Sequence, residues 1–161
     1  RYANPNVQVM TDMIGKTAAA WNDPAHGTAL ANAQIDKGAD VVFTVAGASG
    51  EGVIQAAKAR GKYVITGMNQ ARSAPGTVLT AMSKRFDVAV FETVSIAGMG
   101  KWKGGHSELD LKDGAVDWMV DDFNEKLVTP AMKAKVEEAK QLIIDGKLAV
   151  PDYTKTNSCP R

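Results

Sequence analysis

Residues Gly38 to Gln70, GADVVFTVAGASGEGVIQAAKARGKYVITGMNQ, constrain the fold more than any other part of the chain. Val41 to Val45 is a short continuous apolar run, the pattern of a strand covered on both faces. A glycine-rich turn follows, and then Val53, Ile54 and Ala57 fall on one face of a helix that closes near Gly61. Tyr63 to Ile65 supplies a second strand, and the connection is short enough for a right-handed crossover between parallel neighbours. Such a unit gathers backbone N–H groups and polar side chains at the carboxyl ends of adjacent strands, where open α/β sheets bind small ligands.

The turn holds Gly47, Gly50 and Gly52 in the spacing G-x-x-G-x-G. That is not the dinucleotide fingerprint G-x-G-x-x-G, and no P-loop lysine follows. Two readings stay open. The glycines serve a tight strand-to-helix turn, or Gly47 lets the backbone approach a ligand while Ser49 and the helix N-terminus offer donors to its oxygens.

The remaining chain extends this α/β pattern. Val7 to Met13 alternates apolar and polar residues and reads as a strand. Asp23 as N-cap and Pro24 at the first helical position start a helix running to about Lys37, where Gly38 stops it. The first seventy residues therefore read β-α-β-α-β, a parallel sheet with helices on its faces. After the turn-rich ARSAPGT, Thr77 to Met82 is extended, and Phe86, Val90, Val94 and Ala97 recur at helical spacing until Gly98 and Gly100. Ser107 to Leu111 and Ala115 to Met119 read as edge strands or a hairpin joined at Lys112, Asp113 and Gly114. Thr129 and Pro130 then cap a long helix with Met132, Val136, Ala139 and Ile143 on its inner face, and Gly146 suits its C′ position.

Catalytic parts are scarce. His26 lies in the first turn of a predicted surface helix, His106 in a glycine-rich loop, and Cys159 in a polar tail with no histidine beside it. Asp121 and Asp122 suit capping of the turn near Phe123, and neither a G-x-S-x-G elbow nor an H-E-x-x-H helix occurs. Nineteen basic against eighteen acidic side chains, dispersed to a net charge of +1, argue against a nucleic-acid surface. No apolar run reaches the ~20 residues of a membrane span, and one cysteine cannot build a metal cluster or an internal disulfide. What the chain does offer is a set of groups at element ends that converge on one cleft: Trp21, Gly47, Ser49, Asn69, Gln70 and Lys84. An aromatic face, amides, a close backbone and one ammonium suit a heterocycle with its hydroxyls. A sugar receptor with Trp21 against a pyranose, or a small enzyme or regulatory domain on the same doubly wound fold, are the alternatives.

Three segments, AAAWNDPAHGTALANAQIDKGADVVFTVAGASGEGV, PGTVLTAMSKRFDVAVFETV and LVTPAMKAKVEEAKQLIIDGKLAV, cover nearly the whole chain in order. Together they resemble the basic membrane protein family, substrate-binding lipoproteins of ABC transporters that include purine nucleoside receptors. The resemblance implies a type I periplasmic binding protein: two Rossmann-like lobes joined by hinge crossings, with no enzymatic activity and no cofactor. It implies that residues 1–76 form most of the second lobe, 77–84 a hinge crossing, and 85–161 a helix returning to the first lobe, edge strands and a C-terminal helix. The first lobe, the missing N-terminal half of the same protein, would lie largely outside this sequence. A purine-type ligand, an ABC permease and a lipid-anchored periplasmic or cell-surface location follow from the same likeness, as does a disulfide from Cys159 to a cysteine in the absent half.

By the same resemblance Trp21 stacks on a purine, the Gly47 backbone approaches a ribose and Lys84 reaches sugar hydroxyls. One departure stands out. Where the family carries an aspartate after the third strand, this chain reads TGMNQ, with Gly67 or Met68 in that place and Asn69 and Gln70 the nearby polar groups. Loss of a carboxylate that accepts from two hydroxyls weakens nucleoside binding, so the expectation shifts towards a free purine base.

Overall fold

A computed structural model describes residues 2–68 and 70–157. Helix α1, Pro24–Asp36, begins as its sequence dictates: the Asp23 carboxylate accepts the His26 N–H at 2.9 Å, and proline occupies the first helical position. Strand β1 (Val41–Thr44), helix α2 (Ser49–Ala59) and strand β2 (Tyr63–Thr66) follow as one crossover unit, with the two strands parallel and in register from Val41 against Tyr63 to Thr44 against Thr66. The two helices pack at backbone distance. A Cβ on Gly52 would lie 1.9 Å from the Pro24 carbonyl oxygen, and one on Gly27 would lie 2.3 Å from that of Ser49. Gly52 therefore serves helix packing, with Ala31 and Ile35 of α1 and Val53, Ile54, Ala56 and Ala57 of α2 forming the core over Val42 and Val64.

Strand β3 (Val78–Lys84) continues the sheet in parallel with β2, with a register shift between Val64 and Ile65. Strand β4 (Val116–Trp118) then closes the order β1-β2-β3-β4 by pairing antiparallel with β3. The fold is thus α/β with a mostly parallel sheet, as the sequence pattern implies. Only one face of its first strand is covered. Val42 and Thr44 are buried, whereas Val41 and Phe43 point outward and Phe43 is 59% exposed, so the apolar run is not enclosed on both faces as expected.

Two further expectations are corrected. Val7 to Met13 forms no strand, and the leading β of β-α-β-α-β is missing. Its alternation offers a face to bury, but Val9 and Met13 stay exposed, and without burial or a ladder the extended chain has nothing to repay its ordering entropy. The segment is instead tied to α1, where Gln34 Nε2 donates to Asp12 Oδ2 at 2.8 Å. Of the two readings offered for 107–119 the hairpin is absent: residues 107–110 form no strand, while Ala115 to Met119 does supply an edge strand, β4, which takes β3 as its partner. Met82 pairs with Trp118 and Lys84 with Val116, bonds that a seven-residue strand already fixed in the sheet supplies better than a loop segment does.

Helix α3 (Phe86–Gly98) has the predicted bounds and the unpredicted environment. None of its residues is buried, and Phe86, Val90, Phe91 and Val94 are all exposed. Helix α4 (Pro130–Ile144) is capped by Thr129, whose Oγ1 accepts the Met132 N–H at 3.2 Å. Its expected inner face is only partly covered, with Met132 and Val136 exposed and Ala139 and Ile143 half-buried. Polar contacts attach it to β4 instead. Trp118 Nε1 donates to Glu137 Oε1 at 2.9 Å, and Lys140 Nζ meets Asp117 Oδ2 at 2.8 Å. A short helix α5 (Tyr153–Thr156) follows. Cys159 and its expected disulfide lie outside the described residues.

Candidate functional site

The carboxyl ends of β1, β2 and β3 open into a cavity of about 530 Å³, within the range of small-molecule sites. Trp21, Gly47, Gln70 and Lys84 line it together, although they come from four separate parts of the chain. Asn69 lies outside the described residues. Ser49 takes a different part from the one its sequence position suggests: it is fully buried and does not line the cavity.

Ser49 holds the wall in place. Its Oγ accepts the Asp23 N–H at 2.6 Å and donates to the Ala20 carbonyl at 2.7 Å, so the hydroxyl is spent on the segment that carries Trp21. Gly47 completes the arrangement from the other side. With φ at +55° it occupies the left-handed region that favours glycine, and a Cβ there would sit 3.0 Å from the Trp21 carbonyl oxygen and 3.2 Å from ring atom Cε3. The backbone approach that glycine permits is therefore an approach to Trp21. Trp21 is left 56% exposed, with surface available for stacking.

Beyond β2, Thr66 Oγ1 donates to the Met68 carbonyl at 2.6 Å and the Gly67 N–H donates to the Thr44 carbonyl at 3.0 Å, which shapes the turn over the strand ends. Gln70 Nε2 donates to the carboxylate of Glu51 in the first turn of α2, leaving its carbonyl oxygen for other partners. Lys84, the last residue of β3, is exposed and has no ion-pair partner among the described residues. The neighbouring Arg85 is engaged elsewhere: its guanidinium bonds Asp87 at 2.7 Å and holds that carboxyl below the usual aspartate range.

Several wall residues escape a sequence reading. Phe86 lines the cavity from the start of α3, and Met68, Met82 and Met119 add thioether surface. Met119 arrives only because β4 pairs with β3, a contact that no local signal announces. Phe86 has a signal of its own, since it follows Lys84 by two residues, but helical spacing alone does not tell what it faces. A second cavity, about 560 Å³, is lined by residues 12–18, α1 and β1. It lies beside the edge of β1 that no strand covers among the described residues, and its Asp12 and Gln34 side chains bond each other. His26 and His106 line neither cavity. Among the described residues no group of three His, Cys, Asp or Glu side chains is placed to hold a metal ion, and no helix is long and apolar enough to cross a membrane.

Comparison with known proteins gives a consistent picture. Residues 1–154 match the Bmp family, described as ABC transporter substrate-binding protein PnrA-like. The CD4+ T-cell-stimulating antigen of Listeria monocytogenes is 32% identical over 92% of this chain and 45% of its own length. Basic membrane protein D of Borreliella burgdorferi is 30% identical over 98% of this chain and 46% of its own length. The ABC transporter nucleoside-binding protein BmpA of Lactococcus lactis is 31% identical over 83% of this chain and 42% of its own length. The chain thus spans somewhat less than half the length of these relatives.

Solved structures agree on the fold. A solute-binding protein of an ABC transporter system from Aeropyrum pernix superposes with a TM-score of 0.66 at 24% identity, over 85% of this chain and 48% of that one. A transcriptional activator of the comK gene from Bacillus halodurans superposes at 0.68 with 20% identity, over 91% of this chain and 47% of that one. Two different roles on one architecture leave the family match, not the fold, as the guide to function. On that match, which runs from residue 1 to residue 154, the chain belongs to the Bmp family of PnrA-like ABC transporter substrate-binding proteins.

Proposed function

We propose that this chain forms one wall of the ligand cleft of a non-enzymatic receptor, which closes over a purine-type ligand and presents it to an ABC permease. The observation that carries the reading is the convergence of Trp21, Gly47, Gln70 and Lys84 on one cavity. In this reading Trp21 stacks on the base, Gly47 and Ser49 hold that indole in position, and Gln70 and Lys84 meet the polar edge of the ligand. A nucleoside-binding relative at 31% identity supports the ligand class. The family match supports a periplasmic or cell-surface location, with a lipid anchor as part of the same proposal.

The layout proposed for the whole receptor is 1–76 in one lobe, 77–84 as a hinge crossing, and 85–161 returning towards the other lobe. Helix α3 supports it. A helix with Phe86, Val90, Phe91 and Val94 all exposed calls for a covering surface, and relatives more than twice this length have the chain to supply one. Closure would then be a rotation about the crossing segments, driven by contacts that the ligand makes with both lobes.

Within the purine class we favour a free base, because the described residues of the wall include no carboxylate to accept ribose hydroxyls. Calorimetric titration of the full-length protein with adenine, adenosine and guanosine tests this. Adenine binding as tightly as either nucleoside, or tighter, is the expected result. Nucleosides binding about a hundredfold tighter would refute the base preference, and mass spectrometry of material released on denaturation that shows a hexose would refute the purine reading.

A further inference from the structure

The charge of the cavity wall carries the reading one step further, to the chemical class of the ligand. Of the ionisable side chains among the described residues, Lys84 alone lines the wall, whose other members are aromatic, thioether, aliphatic, hydroxyl and amide groups. Two carboxylates beside it are already paired with cations. Asp87, next to Phe86, is held by Arg85 at 2.7 Å, and Asp117, opposite Ser83, by Lys140 at 2.8 Å, while Glu51, outside the wall, accepts from the neutral Gln70 amide. Lys84 has no such partner among the described residues, so its ammonium relies on water for compensation.

That arrangement is stable while the wall is open and costly once it is covered. A cation stripped of water without a counter-charge is strongly disfavoured, and a neutral ligand closing the cleft leaves Lys84 in that position. A ligand bearing an anionic oxygen supplies the missing charge and forms a charge-assisted hydrogen bond, roughly twice as strong as a neutral one. Trp21 and Phe86 meanwhile call for a flat aromatic body. Resting on the purine reading above, the geometry points to an anionic oxidised purine of the urate type as the ligand, with Lys84 as its counter-charge.

The test is a calorimetric titration of the full-length protein with urate, an anion at neutral pH, and hypoxanthine, a neutral purine of similar shape. Urate binds about tenfold tighter or more, and its affinity falls as salt is raised while that of hypoxanthine does not. In Lys84→Gln the preference shrinks to within about threefold, and Lys84→Arg restores it; circular dichroism checks that both variants fold. Hypoxanthine binding as tightly as urate, or a Lys84→Gln variant that weakens both purines equally, overturns the inference and leaves the purine reading standing. Adenine binding with no binding of urate overturns the inference alone, and failure of the folded protein to bind adenine, urate or hypoxanthine overturns both.

Discussion

Replacing Gly47 by alanine separates the two jobs this glycine performs. At φ +55° an L-residue pays for the left-handed conformation, about 1–2 kcal/mol. The added Cβ also meets Trp21, 3.0 Å from its carbonyl oxygen and 3.2 Å from Cε3, both closer than ordinary van der Waals contact. Ser49 ties the neighbouring Ala20 and Asp23, so the indole and not the loop is the part free to move. Gly61 provides the control, with φ +61° and nothing within 4 Å of an added Cβ. Urea unfolding of Gly61→Ala registers the backbone cost alone, about 1–2 kcal/mol. Gly47→Ala loses more, and with Trp102 and Trp118 replaced by phenylalanine its Trp21 emission shifts. Purine affinity falls about tenfold in Gly47→Ala and is unchanged in Gly61→Ala. Equal stability losses, with Trp21 emission and purine affinity unaltered in both, would refute the claim that Gly47 positions the indole.

Three other changes probe the scaffold. Gly52→Ala sets a Cβ 1.9 Å from the Pro24 carbonyl oxygen and 2.7 Å from Thr28 Oγ1; separating α1 from α2 costs about 3 kcal/mol or more, read as a lowered urea midpoint or loss of soluble protein. Asn124, 1% exposed, donates to the Leu79 carbonyl at 3.1 Å and the Met119 carbonyl at 3.2 Å and accepts the Asp121 N–H at 2.7 Å. Asn124→Ala leaves part of that set unsatisfied and lowers unfolding free energy by about 2–4 kcal/mol. Lys140, beside Asp117, has its pKa raised above the ordinary 10.5 by the hydrogen bond to that carboxylate. A raised folded-state pKa means stability present below 10.5 and lost as pH climbs through the higher folded value. For a partly exposed pair the loss is below about 1 kcal/mol, and Lys140→Met removes that part of the alkaline slope in unfolding measured between about pH 9 and pH 12.

Much of the fold is legible because its signals are local. Asp23 with Pro24 and Thr129 with Pro130 start helices at the expected residues, since a cap bond spans three residues and needs no distant partner. Gly146, at φ +69°, follows α4 for the same kind of reason. The cleft was partly legible too. Trp21, Gly47, Gln70 and Lys84 were placed by the rule that strand ends gather functional groups, and they share one cavity. The part Ser49 plays is not legible this way, because its position near a helix start says nothing about the Ala20 carbonyl and Asp23 N–H that claim its hydroxyl.

The sequence by itself determined the helix boundaries, the β1-α2-β2 crossover, the family and the absence of a carboxylate where TGMNQ ends β2. Each of these is written in residues a few positions apart. The tertiary structure alone decided that Val7 to Met13 stays unpaired, that β4 joins β3 and brings Met119 to the cavity, that one face of β1 is open, and that α3 displays its apolar side chains. A strand needs a partner's backbone and an apolar face needs a surface to cover it, and periodicity specifies neither. The same holds for Lys84. Its charge is plain in the sequence, while its lack of an ion-pair partner among the described residues emerges only when Asp87 and Asp117 are seen paired with Arg85 and Lys140.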